Sequence, residues 1–303
     1  MHNEHPQKLE AALYVVATPI GNLRDITMRA LEVLAAADVV AAEDTRNSAH
    51  LLTHHGITAK KLIAVHQHNE RGAAEKIIAL LHAGQSVAFV SDAGTPAVSD
   101  PGALLVQAVR EAGLRVIPIP GASAAMAALS AAGLNEPHFL FYGFLPNKSA
   151  ARRTALQSLA SHPYTLVFYE APHRIVECVA DLCAVLGGER QIVLAREITK
   201  LFETIHACPL SDAEAWLQSD SNNQRGEFVV LVSGAMPQPG FVRRDAQHTV
   251  EVARRIAAQT GGATRRKDHR SQPQRAVSAG AANQKPRLIW GYRHEKFYFQ
   301  TTV

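Results

Sequence analysis

The stretch SVAFVSDAGTPAVSDPG, residues 86–102, holds the strongest fold signal in the sequence. Its first five residues form a short apolar run that predicts a buried strand, and residues 102–112 have the apolar spacing of a helix. Two consecutive turn-rich segments lie between them, and their small side chains leave backbone groups free to face a ligand. Asp92 is a candidate acceptor for a ribose or an amino group. Asp100 is a candidate N-cap of the following helix.

The same alternation of strand and helix extends outward from this stretch. Buried strands are predicted at residues 13–18, 38–42, 61–66, 86–90 and 115–119, and helices at 27–36, 48–54, 73–81, 102–112 and from 123 onward. This order is typical of a doubly wound parallel sheet, which binds ligands beyond the carboxyl ends of its strands. We therefore expect a first α/β domain over residues 13–133, with its functional residues in the loops that follow strands.

A different pattern begins beyond residue 133. Helices are predicted at residues 150–160 and 173–186, and strands at 165–169, 191–195, 203–207 and 228–232. These elements predict a second, mixed α/β domain over residues 134–240. Residues 1–12 form an N-terminal extension and residues 241–303 an atypical basic C-terminal region. Periodicity is lost from about residue 259, which predicts a poorly ordered tail.

The charge of the chain is unevenly distributed. The region from Phe241 onward contains 13 Lys/Arg and 4 Asp/Glu, a net charge of +9, so that residues 1–240 carry −5. Because the body is mildly acidic, bulk basicity is weak evidence for nucleic-acid binding. The N-terminus has no apolar signal core and no run approaches the ~18 residues of a membrane span. We expect a cytoplasmic protein without membrane contact, whose three cysteines form no disulfide framework.

The loops disfavour several classes of function. The segment TPIGNL, residues 18–23, follows the first strand but lacks the G-x-G-x-x-G pattern of dinucleotide-binding proteins. A Ser hydrolase is disfavoured because the sequence has no G-x-S-x-G elbow. The fifteen histidines have no cysteine or carboxylate partner at a recognisable ligand spacing, so we predict no metal site. The segment PIPGASA, residues 118–124, carries small side chains that permit close approach of an adenosine or methionine moiety.

Eight segments occur in a fixed order along the chain: TPIGNL, EDTR, SDAGTPAVSDPG, PIPGASA, FYGFLP, YEAPHR, AREITK and RGEFV. Together they resemble the tetrapyrrole-methylase superfamily and, within it, the branch of bacterial small-subunit rRNA 2′-O-methyltransferases. The resemblance spans about residues 13–233. Members usually end in a small helical region, for which residues 245–258 are the candidate start. The Arg-rich continuation departs from that pattern, and our hypothesis is a reading-frame change near codon 259.

The resemblance implies a fold, a cofactor and a substrate. It implies S-adenosylmethionine held in the cleft between the two α/β domains of a homodimer. The implied substrate is a cytidine in the decoding region of 16S rRNA within the 30S subunit, methylated on its ribose 2′-oxygen. The implied cofactor contacts are Pro19, Asp92, Ala93, Gly94, Thr95, Ser123 and Ala124 from the first domain, and Tyr169, Glu170, Arg196, Gly226 and Glu227 from the second.

This chemistry sets requirements for the remaining residues. Methyl transfer is an in-line displacement at carbon, so the ribose oxygen must be held about 3 Å from the methyl carbon. A ribose hydroxyl is a poor nucleophile at neutral pH, and a base, or a cation that lowers its pKa, assists it. Lys200 is the first candidate, with Asp100 and Glu170 as alternatives. Arg24, Arg46 and Arg174 are candidates for binding RNA phosphates, to which Lys200 is a further candidate contributor.

Two other functions remain open at this point. The first is C-methylation of a tetrapyrrole in the corrin or siroheme pathway, which requires a wide basic cleft for a substrate rich in carboxylates. The second is a ribosome-assembly factor that binds RNA without catalysis. The EDTR, YEAPHR and AREITK segments favour the RNA branch over the first. The cofactor-type loops SDAGTP and PIPGASA argue against the second.

Overall fold

The computed structural model describes residues 8–59, 61–67 and 69–235. All of them belong to one compact unit, Met1–Phe241. The predicted C-terminal tail, with its hypothetical frame change, lies outside the described residues, as does most of the predicted N-terminal extension. The domain boundary at residues 133/134 stays a prediction. None of the described helices is long and apolar enough to cross a membrane.

The first sheet is parallel throughout and has the order β3-β2-β4-β1-β5. Its strands are β1 (Leu13–Val16), β2 (Val39–Ala42), β3 (Leu62–Ala64), β4 (Val87–Val90) and β5 (Val116–Ile119). The helices that follow them are α1 (Met28–Ala36), α2 (Thr45–His54), α3 (Glu70–His82), α4 (Ala103–Glu111) and α5 (Ala124–Ala131), and a 3-10 turn, Leu23–Asp25, precedes α1.

The central strands of this sheet are short Val/Ala-rich runs because helices cover both faces. Alternate residues point to opposite sides. On one face Val16 and Ala88 pack with Leu34 of α1 and Leu52 of α2. The other face has its own core, in which residues of β1, β2 and β4 pack with α3 and α4. The predicted doubly wound parallel sheet is confirmed.

The second sheet is mixed and has the order β6-β7-β10-β8-β9. Its strands are β6 (Phe139–Phe144), β7 (Thr165–Glu170), β8 (Gln191–Arg196), β9 (Thr204–Pro209) and β10 (Phe228–Val232). Only β6 and β7 run parallel; the other neighbouring pairs are antiparallel. One face is covered by α6 (Ser149–Leu159), α7 (Ile175–Leu186) and α8 (Leu210–Ser219). Short 3-10 turns, Pro172–Arg174 and Ser221–Gln224, precede α7 and β10.

Helix α5 covers the opposite face of the second sheet. Ala125 and Ala128 are buried against Val167, Val193 and Val229, one from each of the three central strands. Because α5 follows directly on β5, the chain passes from the carboxyl edge of the first sheet straight onto the second. This connection brings the loop that precedes α5 to the place where the two sheets meet.

The structure corrects the predicted cap of α4. Gly102 is the N-cap residue, and its φ of +124° is a conformation that favours glycine. The buried carboxylate of Glu70, from the start of α3, accepts hydrogen bonds from the backbone N–H groups of Gly102 and Leu105, both at 3.0 Å. The prediction that Asp100 caps this helix was therefore wrong, and Asp100 is available for another role.

Candidate functional site

A cavity of about 350 Å³ lies where loops of the two sheets meet. The loops after β1 and β4 are joined by an antiparallel bridge between Thr18 and Gly94, with N···O distances of 2.8 and 3.1 Å. The loop before α5 contacts this pair because the hydroxyl of Thr95 donates to the carbonyl of Ala122 at 3.1 Å. The end of β7, the start of β10 and the loop after β8 complete the walls.

Most of the residues predicted for the cofactor line this cavity. The first half of the chain contributes Ala93, Gly94, Thr95, Asp100, Ser123 and Ala124. The second half contributes Tyr169, Glu170, Lys200 and Glu227. The structure thus brings together all three candidate catalytic residues and eight of the twelve predicted cofactor contacts. Glu170 is counted in both groups.

Tyr169 links the second sheet to the beginning of α5. Its ring packs edge-on against Phe141 and Phe144, with centroid distances of 5.1 and 5.6 Å. Its hydroxyl contacts the side chain of Ser123 and the backbone of Ala125. Burial and the nearby charge of Asp100 raise the pKa of Tyr169 above its ordinary value, so it is a neutral donor and acceptor in the cavity wall.

Asp100 is the carboxylate whose titration is most altered in this cavity. Burial, with repulsion from Glu43 and Asp92, raises its pKa from 3.8 to about 6, while a hydrogen bond with Ser91 partly opposes the shift. A carboxylate with a pKa near the operating pH accepts a proton more effectively than an ordinary aspartate. Asp100 therefore has the protonation behaviour of a general base at neutral pH.

Lys200 is held as an ammonium group between two carboxylates. Its Nζ lies 2.8 Å from Glu197 Oε1 and 2.8 Å from Glu227 Oε2. Burial opposes the charge, but these hydrogen bonds outweigh it and raise the pKa of Lys200. Since the amine stays protonated at neutral pH, Lys200 supplies positive charge to the cavity and is poorly suited to accept a proton.

Two glycines make room for this ion-pair cluster. A Cβ at Gly21, in the loop after β1, would lie 2.5 Å from Cγ of Lys200. A Cβ at Gly226, which has a φ of +86°, would lie within 2.3 to 2.5 Å of the Glu197 side chain. Gly226 therefore supports the site from behind the cavity wall, and Gly21 is the place where the first half of the chain contacts Lys200.

Two loops around the cavity have strained backbones. All four non-glycine residues with clearly positive φ in the described ranges lie in them: Ala97 (+65°), Ser99 (+63°), Glu197 (+52°) and Thr199 (+67°). Such a conformation is uncommon outside glycine and is an outlier for a β-branched residue such as Thr199. The surrounding contacts must hold these loops in place.

Buried Glu170 and partly buried Arg174 form an ion pair at the end of β7. Glu170 accepts a hydrogen bond from the backbone of Ala171 at 2.8 Å, and its Oε1 lies 3.2 Å from Arg174 Nε. Arg174 also donates to the carbonyl of Leu145 at 2.8 Å and to the side-chain oxygen of Asn147. Its guanidinium is therefore occupied within the protein, away from the surface positions of Arg24 and Arg46.

The other predicted contacts lie outside the main cavity. Arg196 is buried behind the wall and donates to the carbonyl of Arg225 and to the hydroxyl of Thr204, both at 3.2 Å. Pro19 and Asp92 line a second cavity of about 240 Å³. Arg24 is exposed on the 3-10 turn after β1, and Arg46, with a side chain 86% exposed, pairs with Asp44 at 2.7 Å.

Sequence reasoning missed several residues of the site. Glu197, which holds Lys200, lies in the AREITK segment but had no predicted role. Ile20, Val98, Phe144, Ala171, Pro172, Ile198, Phe228 and Val229 also line the cavity. All of them lie within the eight segments of the resemblance, so their position in those segments was the signal available. In the described part of the chain, no group of three or more potential ligand side chains could hold a metal ion.

Comparison with known proteins gives consistent results. The family model of tetrapyrrole (corrin/porphyrin) methylases matches residues 12–214. The chain is 52% identical over 241 residues to ribosomal RNA small subunit methyltransferase I of Escherichia coli O157:H7, covering 80% of this chain and 84% of that protein. It is 56% identical over 222 residues to the Pseudomonas aeruginosa protein of the same name, covering 73% and 78%.

A solved structure shares the fold. It is uroporphyrin-III C-methyltransferase from Thermus thermophilus complexed with S-adenyl homocysteine, with a TM-score of 0.51 and 19% sequence identity. The match covers 73% of this chain and 96% of that one.

Proposed function

The chain belongs to the tetrapyrrole methylase family, and from this premise we propose that it methylates a cytidine ribose 2′-oxygen in the decoding region of 16S rRNA. S-adenosylmethionine is the methyl donor. The relatives at 52% and 56% identity are small-subunit rRNA methyltransferases. The tetrapyrrole alternative is not favoured, because the solved tetrapyrrole methyltransferase is only 19% identical and shares the fold alone. A non-catalytic assembly factor is not favoured either, because the relatives named are methyltransferases.

The main cavity fits this cofactor in size and in charge. Its volume of about 350 Å³ lies within the roughly 300–1,000 Å³ typical of small-molecule sites. Ala93, Gly94 and Ala124 are small enough for a nucleoside to approach the backbone. Asp100 and Glu227 supply negative charge that complements a cation. When bound, S-adenosylmethionine supplies a methyl group on a positively charged sulfur atom.

Asp100 is the residue we assign as the base. The single observation that carries the assignment is a half-buried carboxylate with a pKa of about 6 in the wall of the cavity. In this role Asp100 accepts the proton of the ribose hydroxyl as the oxygen attacks. Of the other two candidates, Glu170 already accepts from the backbone of Ala171 and pairs with Arg174.

Lys200 takes the complementary role of a fixed cation. Its ammonium group, held by Glu197 and Glu227, favours the ionised form of a hydroxyl that accepts a hydrogen bond from it. Glu197 is a positioning residue because it acts through Lys200. In this proposal Asp100 accepts the proton, and Lys200 supplies the electrostatic support.

The macromolecular context is part of the same proposal. Arg24 and Arg46 are exposed on loops of the first sheet and are suited to bind RNA phosphates. We propose the 30S subunit in the cytoplasm as the substrate particle. A homodimer is supported by the exposed aromatic side chains of Phe139 and Tyr142 on β6, an edge strand of the second sheet.

The test is methyl transfer from tritiated S-adenosylmethionine to 30S particles that lack the modification. We expect label on a single ribose 2′-oxygen, mapped by nuclease digestion. Transfer of label to a tetrapyrrole acceptor but not to 30S particles would refute the proposal. Cofactor binding without transfer to either acceptor would refute the catalytic assignment.

A further inference from the structure

A second cavity, of about 240 Å³, lies beside the first at the carboxyl edge of the parallel sheet. The loops after β1 and β4 and the first two turns of α2 line it. It is smaller than the roughly 300–1,000 Å³ of sites for drug-sized ligands, so it fits a single ring system better than a whole nucleoside cofactor. The proposed reaction as described above leaves it without a role.

The two cavities lie on opposite sides of one partition, which the loops after β1 and β4 form. The bridge between Thr18 and Gly94 joins two loops whose residues divide between the cavities. In the loop after β1, Ile20 faces the first cavity, while Pro19 and Gly21 face the second. In the loop after β4, residues 93–95 face the first cavity and residues 91–92 the second. A substrate group in the second cavity would therefore lie directly beside the proposed cofactor.

The lining of the second cavity combines apolar surface with polar groups. Pro19, Leu23 and Leu51 provide apolar contacts, and the exposed ring of His50 lies among the lining residues. Asn47 donates an amide N–H to Asp92 Oδ2 at 3.1 Å, which orients the amide. Single-stranded RNA is recognised by bases that stack on aromatic or histidine rings and hydrogen-bond through their edges.

The charges around this cavity favour a nucleobase over an anion. Asp92 lies in its wall, and its Oδ1 accepts from the backbone N–H of Asp44 at 3.1 Å. A carboxylate there disfavours a phosphate inside the cavity. Two exposed cations, Arg24 and Arg46, instead neighbour the lining residues Leu23 and Asn47 in the chain. This arrangement suits a base inside with backbone phosphates outside.

We propose that the second cavity binds one unstacked nucleobase of the substrate RNA, with the base stacked on His50 and its edge hydrogen-bonded to Asn47. The inference rests on the proposed function and extends it, since it assigns the RNA contact to a particular site. Base extrusion is established for enzymes that act on the base itself, and we extend it here to an enzyme that acts on the ribose. The partition of Thr18 and Gly94 then separates the base from the cofactor.

The experiment compares His50→Ala, His50→Phe and His54→Ala with the wild type. His54 is an exposed histidine one turn further along the same helix and lines neither cavity, so it controls for loss of a surface imidazole. The affinity for the RNA of unmodified 30S particles is measured by filter binding with saturating S-adenosylhomocysteine. The affinity for S-adenosylmethionine is measured separately by calorimetry, and methyl transfer is assayed in parallel.

The expected result is a loss of RNA affinity of about 5- to 160-fold in His50→Ala, the range for removal of one stacking contact. His50→Phe should retain most of the affinity, and His54→Ala all of it. Unchanged RNA affinity in His50→Ala would overturn the inference. So would a loss confined to S-adenosylmethionine affinity, which would assign the cavity to the cofactor. Failure of the wild type to methylate rRNA would instead count against the proposed function, because RNA affinity is read independently.

Discussion

Methyl transfer should depend on the ionisation of Asp100 between pH 5 and pH 7. With a pKa of about 6, Asp100 is about nine-tenths ionised at pH 7 and only about one-tenth at pH 5. An aspartate with the ordinary value of 3.8 would be more than nine-tenths ionised at both. If Asp100 is the base, kcat/KM at pH 5 should therefore fall to about a tenth of its plateau.

The assay is the initial rate of tritium transfer to 30S particles between pH 5 and pH 8 at subsaturating RNA. Asp100→Asn should lower kcat by about 10²- to 10⁴-fold and remove the pH dependence, because the amide accepts no proton in this range. S-adenosylmethionine binding, measured by calorimetry at pH 7, should change by no more than about twofold. Substitutions of Glu43 and Asp92 are a necessary control, since the negative charges of both residues raise the pKa of Asp100.

The same variant should be more stable to urea above pH 6. The folded pKa of Asp100 is raised, so the folded state binds more protons than the unfolded state between about pH 4 and pH 6. The free energy of unfolding therefore falls as pH rises through that window, and replacing the buried charge of Asp100 by a neutral amide restores it.

A flat rate profile from pH 5 to pH 7 in the wild type, or an active Asp100→Asn variant, would refute the assignment of Asp100 as the base.

Substitutions at three further positions test which residues support the fold and the site. Asp181→Ala should lower the free energy of unfolding, measured by urea titration, by about 3–5 kcal/mol. The reason is that the fully buried Arg152 loses its carboxylate partner at 2.7 Å. A loss below about 1 kcal/mol would contradict this. Glu70→Ala should cost about 1–3 kcal/mol by removing two hydrogen bonds to the first turn of α4, and Glu70→Gln should recover most of that loss. Gly21→Ala should slow transfer by about 10- to 100-fold with unchanged circular dichroism, since the new Cβ displaces Lys200; full activity would show that the lysine position is not critical.

The periodic elements were predictable because each carries its own local pattern. Strands β1, β2 and β4 are short Val/Ala runs that end at turn residues, and all of them occur where the pattern indicates. Boundaries shifted where a cap decides them. Helix α2 begins at Thr45, three residues before the predicted start, because Asp44 accepts the hydrogen bond of the Arg46 backbone at 2.8 Å. Helix α8 was not predicted, although its buried residues Leu210, Ala213 and Leu217 have helical spacing.

Features that depend on distant parts of the chain were not predictable. The cap of α4 comes from Glu70, more than thirty residues before the helix, so the nearby Asp100 was the wrong choice. Arg174 resembles a surface cation in sequence, yet its partners at the end of β7 and after β6 occupy it internally. The segments of the resemblance identified most of the cavity, whereas the ion pairs that set the charge of Lys200 required the structure.

The strained loops have a consequence for attempts to make this protein more heat-resistant. Each of Ala97, Ser99, Glu197 and Thr199 holds a left-handed backbone, which costs about 1–2 kcal/mol per residue relative to a permitted conformation. A screen that selects only for survival at high temperature would favour glycine or asparagine at these positions. Such replacements relax the loops that shape the cavity, and stabilising changes commonly reduce function at such sites. Stabilising substitutions are therefore better placed in the helices that cover the two sheets, away from these strained loops.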